Sequence, residues 1–403
     1  MINASFVFQS LLVRVAKLWL FSLILIGAGE PAFAAPYIPS DDALVLETLP
    51  ERTNPVSREL RDRRREFAKQ PENLDLALSL ARRYLDLGRT ESDPRYYGYA
   101  EGVLQGWWNL PQPPADVLLL RATLRQNRHD FDAALQDLAA LLKREPRNAQ
   151  AWLTQAVVQQ VRGDYTAAKR SCLPVLQLAS RLSAVTCLSL AGSLSGQAQQ
   201  AFDLLRQTVD ASASESTSER LWALTALAEI AGRRGDVSAA ESHFRTALAL
   251  GQRDPYLLAA YADFLLDRNR PAEVVELLKT EDRVDGLLLR LVLAETSLGK
   301  NNQSNHIDIL KTRFAASRLR GESLHEGEEA RFTLMILNDP REALRLAQSN
   351  WAKQREPRDA RILLETALAA ADPSAAKPVL EFLRNTGLQD MALTPLAAQL
   401  EGT

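Results

Sequence analysis

Gly163-Asp164-Tyr165-Thr166-Ala167-Ala168 and Gly235-Asp236-Val237-Ser238-Ala239-Ala240 are two copies of one short pattern, and His129-Asp130-Phe131-Asp132-Ala133-Ala134 is a third. Each reads as a tight turn running into an amphipathic helix. Glycine suits the first position because a helix C-terminus commonly needs a left-handed residue, which glycine adopts without strain. The aspartate that follows caps the next helix through its carboxylate. Working outward, Trp152 stands 34 positions after Leu118, and Leu258 stands 34 after Leu224. The apolar residues recur at i, i+3, i+4 and i+7, with no alternating strand pattern. Such a period predicts stacked helical hairpins.

One hairpin sets the register for the others. Residues 151–161 form its first helix, 162–164 the turn and 166–178 the second helix. Ala156 and Ala168 fall where the two helices cross, and a larger side chain there would pry them apart. The same register picks out Leu118, Ala122, Ala134, Leu141 and Pro146 one unit earlier, and Ala228, Ala240, Phe244, Ala247 and Pro255 in a later one. A first copy runs through Leu80, Ala81, Tyr84 and Gly88. Weaker copies surround Ala201, Ala262, Ala294, Ala343 and Ala376.

This pattern resembles the tetratricopeptide repeat family, in which small residues mark the helix crossings and bulky ones fill the space between. Gln159 and Cys172 depart from the bulk expected at their positions. The resemblance implies an all-α, right-handed superhelical solenoid of about eight or nine antiparallel helix pairs over residues 57–403. It also implies a concave face, lined by the first helix of each pair, that binds a protein segment. Read in register, that face presents Leu119, Thr123 and Gln126, then Gln150, Leu153, Val157 and Gln160. Thr186, Leu190 and Ser193 follow, then Trp222, Thr225, Glu229 and Arg233, and last Tyr256, Ala259 and Asp263.

Two interruptions stand out. Residues 89–99 enlarge the first turn and carry Tyr96, Tyr97 and Tyr99, which read as partner-binding residues on a loop or as a cap over the first hairpin. Residues 299–305 form a polar break, GKNNQSN. The charged stretch 57–69 reads as a solvated opening helix, its arginines interleaved with Glu59, Asp62 and Glu66.

The chain's start follows different rules. Arg14 and Lys17 precede the apolar run 18–26, and Ala32-Phe33-Ala34 provides the small-x-small pattern of a signal peptidase site. The run is shorter than the ~20 residues of a membrane span. Residues 1–34 are therefore expected to be a cleaved signal peptide, and 35–56, with four prolines, an extended leader. That predicts a periplasmic or secreted protein of a Gram-negative-like cell.

Chemistry finds little foothold. A net charge of −2 gives no basic stripe for nucleic acid. The four histidines, His129, His243, His306 and His325, include no i,i+4 pair for a metal. No nucleophile elbow, phosphate loop or dinucleotide fingerprint occurs. Cofactors and metals are not expected, and the chain reads as no enzyme. Cys172 and Cys187 sit on facing helices of adjacent hairpins at levels about 4–5 Å apart by the helical rise. Both a bridge and a pair of buried thiols remain open.

The function expected is a non-catalytic interaction scaffold in the cell envelope. Its candidate partner-binding residues are Tyr96, Tyr97, Tyr99, Gln150, Leu153, Val157, Trp222, Glu229, Arg233 and Tyr256. The alternatives are an accessory subunit of a polysaccharide-export or outer-membrane assembly machine, and a hydrolase whose site goes unrecognised.

Overall fold

The computed structural model describes residues 55–299, 303–320 and 326–402. The expected signal peptide, nearly all of the leader, and His325 lie outside them. By packing, the chain divides into Met1–Arg58 and Glu59–Thr403. The described residues of the first unit, 55–58, are helical and open α1 (Pro55–Lys69), two residues before the expected boundary.

The second unit is an array of antiparallel helix pairs, and no strand occurs among the described residues. Nine hairpins follow α1 among those residues. They are α2 (Leu74–Glu91) with α3 (Arg95–Trp108), α4 (Ala115–Asn127) with α5 (Phe131–Arg144), and α6 (Ala149–Val161) with α7 (Tyr165–Cys172) and α8 (Val175–Leu178). The fourth to sixth pair α9 (Arg181–Ser193) with α10 (Ala198–Asp210), α11 (Thr217–Arg233) with α12 (Val237–Leu248), and α13 (Pro255–Asp267) with α14 (Pro271–Leu278). The last three pair α15 (Asp285–Ser297) with α16 (Gln303–Leu319), α17 (Glu326–Met335) with α18 (Pro340–Lys353), and α19 (Pro357–Ala369) with α20 (Lys377–Thr386). A closing helix, α21 (Leu393–Glu401), packs on α19.

Among the described residues, every hairpin turn holds one in the left-handed region. These are Ser92, His129, Gly163, Gly196, Gly235, Asn269, Gly299, Asn338 and Ala371. Asp164 and Asp236 accept the Ala167 and Ala239 amides at 2.9 and 3.0 Å, as N-caps do. At the crossings, Ala122, Ala134, Ala168, Ala228 and Ala240 are fully buried and Ala156 nearly so. Phe244 packs against Tyr261 and Phe264 at centroid separations of 5.2 and 5.5 Å, tying the fifth hairpin to the sixth. Burying such a ring contributes about 1.5–3 kcal/mol.

Three expectations need correction. Residues 166–178 are not one helix, because Pro174 offers no amide to the Arg170 carbonyl and the chain breaks into α7 and α8. The three tyrosines are not on a loop: Tyr96, Tyr97 and Tyr99 form the opening turns of α3. Gln303, Ser304 and Asn305 of the polar break belong to α16, while residues 300–302 fall outside the described part. The cysteines are bonded: Cys172 and Cys187 form a disulfide with Cα atoms 5.7 Å apart, joining α7 to α9.

Candidate interaction surface

The ten candidate residues fall into three groups. Tyr96 and Tyr99 surround Tyr84, with ring centroids 5.6–6.1 Å apart, and the Arg64 guanidinium lies over Tyr84 and Tyr99. Tyr97 lies so close over Gly88 that a Cβ there would stand 2.4 Å from its ring. These tyrosines cap the first hairpin, although Tyr99 keeps 49% of its surface exposed. Arg89, at the end of α2, pairs with Asp254 at 3.5 Å and so ties this hairpin to the sixth.

The second group flanks the disulfide. Leu153 and Trp222 pack, half-buried, on the cluster of Ala156, Cys172 and Cys187. Val157 is half-buried and Gln150 exposed on the same first helix. Two further positions read as groove-facing are closed off. Thr186 and Thr225 are buried, and each hydroxyl donates to the carbonyl four residues back. Their short side chains satisfy themselves against their own helix.

The third group makes a site. Glu229, Arg233 and Tyr256 line one cleft of about 640 Å³, together with Gln160, Leu190, Ala259 and Asp263 from the same register. The Tyr256 hydroxyl donates to Glu229 Oε1 at 2.8 Å, and Arg233 Nη2 donates to Ser193 Oγ at 2.9 Å. Tyr256 keeps 50% of its surface exposed although its hydroxyl is buried against Glu229. Stacked first helices bring these residues together, since neighbouring hairpins present equivalent positions side by side.

The opposite wall was not foreseen. It comes from the chain's own C-terminal hairpins, through Glu328, Arg331, Gln354, Arg358, Arg361 and Met391. The concave face expected to lie open is therefore covered in part from within. Ion pairs cross the gap: Arg331 bonds Asp263 at 2.6 Å and Arg361 reaches Asp267 at 2.8 Å, while Arg290 bonds Asp263 at 2.6 Å from the neighbouring first helix α15. No sequence signal announces this return, because weak repeats past residue 286 hide which face they pack against.

Electrostatics in the cleft are tense. Burial pushes the Glu229 carboxyl up, against the pull of Arg233 and the Tyr256 hydroxyl. Burial and then Glu356 push Asp359 up to about 6, although it accepts from Asn350 at 2.8 Å and from the Glu356 amide at 2.9 Å. Burial raises Asp390 as well. Asp263 is the converse. Burial works to raise it, yet Arg290 and Arg331 outweigh that and hold it far below the usual carboxylate range.

The described histidines hold no common site. His129 takes the left-handed turn position and stacks on Phe131, His243 lies beside Phe202, and His306 Nδ1 meets Glu295 at 2.9 Å. Among the described residues no group of His, Cys, Asp and Glu could hold a metal. No described helix is long and apolar enough to cross a membrane.

No protein-family model matches the chain, and no curated protein sequence matches it. Solved structures do resemble it. It is similar to the APC/C hetero-tetramer Cut9–Hcn1, with 13% identity over 86% of this chain and 52% of that one, and a TM-score of 0.40. The chain thus spans about half of that protein. A tetratricopeptide repeat protein from Parabacteroides merdae shows 11% identity over 86% and 99% of the two chains, with a TM-score of 0.33. Human IFIT1, solved as a dimer with m7Gppp-AAAA, shows 12% identity over 86% and 87%, with a TM-score of 0.43. These likenesses concern helical architecture.

Proposed function

We propose that this protein is a non-catalytic scaffold of the bacterial cell envelope, exported by its first 34 residues, that binds a segment of a partner protein in the cleft beside Tyr256. Tyr256, half exposed as a residue and anchored through its hydroxyl to Glu229, carries this reading. A tyrosine fixed at one end offers a large rigid contact surface at little further entropic cost, and such aromatic anchors dominate interface energetics. Arginines and carboxylates around it favour a segment of mixed polarity over a purely apolar one. The partner enters the cleft rather than lying along the whole groove, since the C-terminal hairpins cover part of the first-helix face.

The test is site-specific photo-cross-linking in the native cell. A photoreactive residue at position 256 is expected to trap one discrete protein, and one at Ser242, exposed on the second helix α12, none. The absence of any adduct at position 256, or the same adduct from both sites, would overturn the proposal.

A further inference from the structure

Left-handed backbone does not by itself require glycine in these turns. Ser92, His129, Asn269, Asn338 and Ala371 hold the same position in other hairpins with φ between 50° and 59°. Gly163, Gly196 and Gly235, with φ of 80°, 77° and 83°, serve the third, fourth and fifth. What sets these three apart is the chain lying against them. A Cβ on Gly163 would stand 2.6 Å from the Phe382 ring, and one on Gly235 would stand 3.1 Å from Met391. Gly196 faces the Gly387 carbonyl, which would lie 3.5 Å from an added Cβ. The fourth turn glycine, Gly299, meets nothing within 4 Å among the described residues.

Two of these glycines stand beside a helix-end carbonyl that the same C-terminal stretch occupies. The Arg355 amide donates to the Val161 carbonyl at 2.7 Å, and the Met391 amide to the Arg233 carbonyl at 2.9 Å. Val161 and Arg233 end α6 and α11, where carbonyls have no partner within the helix. The Tyr165 hydroxyl completes the first of these contacts by donating to the Arg355 carbonyl at 3.2 Å. Carbonyl and glycine thus form a receptor repeated along the array.

Two apolar cores meet at α17, which gives Phe332 to one and Ala330 to the other. The first runs through residues 182–332 and the second through 330–400. Backbone hydrogen bonds at Val161 and Arg233 and the Arg361–Asp267 ion pair join residues 355–391 to the earlier hairpins. The Phe382 ring beside Tyr165 and Met391 on Gly235 add apolar contacts, and water can replace the polar ones when they part. A boundary held mainly by polar contacts, with α17 left in place as the hinge, opens at lower cost than either core.

We propose that residues 355–391 are a releasable occupant of the strip made by the turn glycines and helix-end carbonyls of the third to fifth hairpins, and that release admits the partner segment to the cleft. The second half rests on the function proposed above; the release does not.

Residue-resolved amide exchange on the full chain reads the release directly. The Arg355 and Met391 amides are expected to exchange about tenfold or more faster than interior amides of α11 such as Ile230, the behaviour of a sub-global opening. Equal rates at all three would overturn the release. Gly235→Ala is expected to speed the Met391 amide further, by about tenfold. Gly299→Ala imposes similar left-handed strain at a turn that meets none of residues 355–391, and is expected to leave it unchanged. A matching response to both substitutions would also overturn the proposal, since strain alone would then explain it. In Gly235→Ala, the photo-adduct at position 256 is expected to increase severalfold. Fast exchange at Met391 with no adduct in either background would uphold the release and reject the proposed function.

Discussion

Glu219 shows how one side chain can fasten two repeats. Its Oε1 accepts from Ser180 at 2.5 Å and Ser183 at 2.7 Å, and its Oε2 accepts from Ser216 at 2.7 Å. Ser180 and Ser216 are the N-caps of α9 and α11, so one carboxylate joins the starts of two neighbouring first helices. The hydroxyls, Ser180 foremost, hold its carboxyl at about 2. A depressed carboxyl contributes stability that is full above its unfolded value near 4.5 and is lost as pH falls from there toward 2. Glu219→Gln is expected to lower stability at pH 7 by about 1 kcal/mol, the net worth of an intramolecular hydrogen bond. It should also flatten the acid limb between pH 4.5 and pH 2. Thermal melts of both proteins at pH 7 and pH 3 check this; an unchanged gap between the two pH values would refute it. At this scale the sequence was partly legible. The crossing alanines and the Asp164 and Asp236 caps are local features, set within one hairpin, and they stand where the repeat register puts them. The Glu219 clip joins Ser180 to a residue 39 positions away, and only stacking creates it.

Helices and hairpins were legible where the apolar period is strong and went astray where one residue overrides it. Pro174 splits the second helix of the third hairpin, although the amphipathic pattern runs straight through. The tyrosine-rich insertion looked like loop because it breaks the period, yet Pro94, within it, is the N-cap of α3 directly ahead of the tyrosines. The disulfide belongs to this scale too, since it ties α7 to α9 across 15 residues. Spacing left both outcomes open and leaned toward two buried thiols, and the bond with its 5.7 Å Cα separation overturns that leaning. Closing a loop of that size contributes about 3 kcal/mol. Reduction is therefore expected to lower the free energy of unfolding by about that amount, seen as a fall in the denaturant midpoint. Thiol labelling of denatured, unreduced protein should find no free thiol; two labels per chain would refute the bridge.

Across the whole chain, the proposed export makes the plainest prediction. Intact-mass analysis of the protein recovered from outside the cytoplasm is expected to place Ala35 at the N-terminus, and a mature species beginning at Met1 would refute cleavage. The sequence by itself determined the all-α class, the hairpin unit and the register that gathers Glu229, Arg233 and Tyr256. Those follow from contacts within a repeat or between adjacent ones, which a local period records. Tertiary structure alone decided what lies across from them. Arg355 to Val161, Met391 to Arg233 and Arg331 to Asp263 span 68 to 194 residues, and no periodicity encodes so distant a pairing. Backbone amides, three turn glycines, ion pairs and the isolated side chains Phe382 and Met391 hold that interface, and none of these leaves a periodic apolar pattern to read.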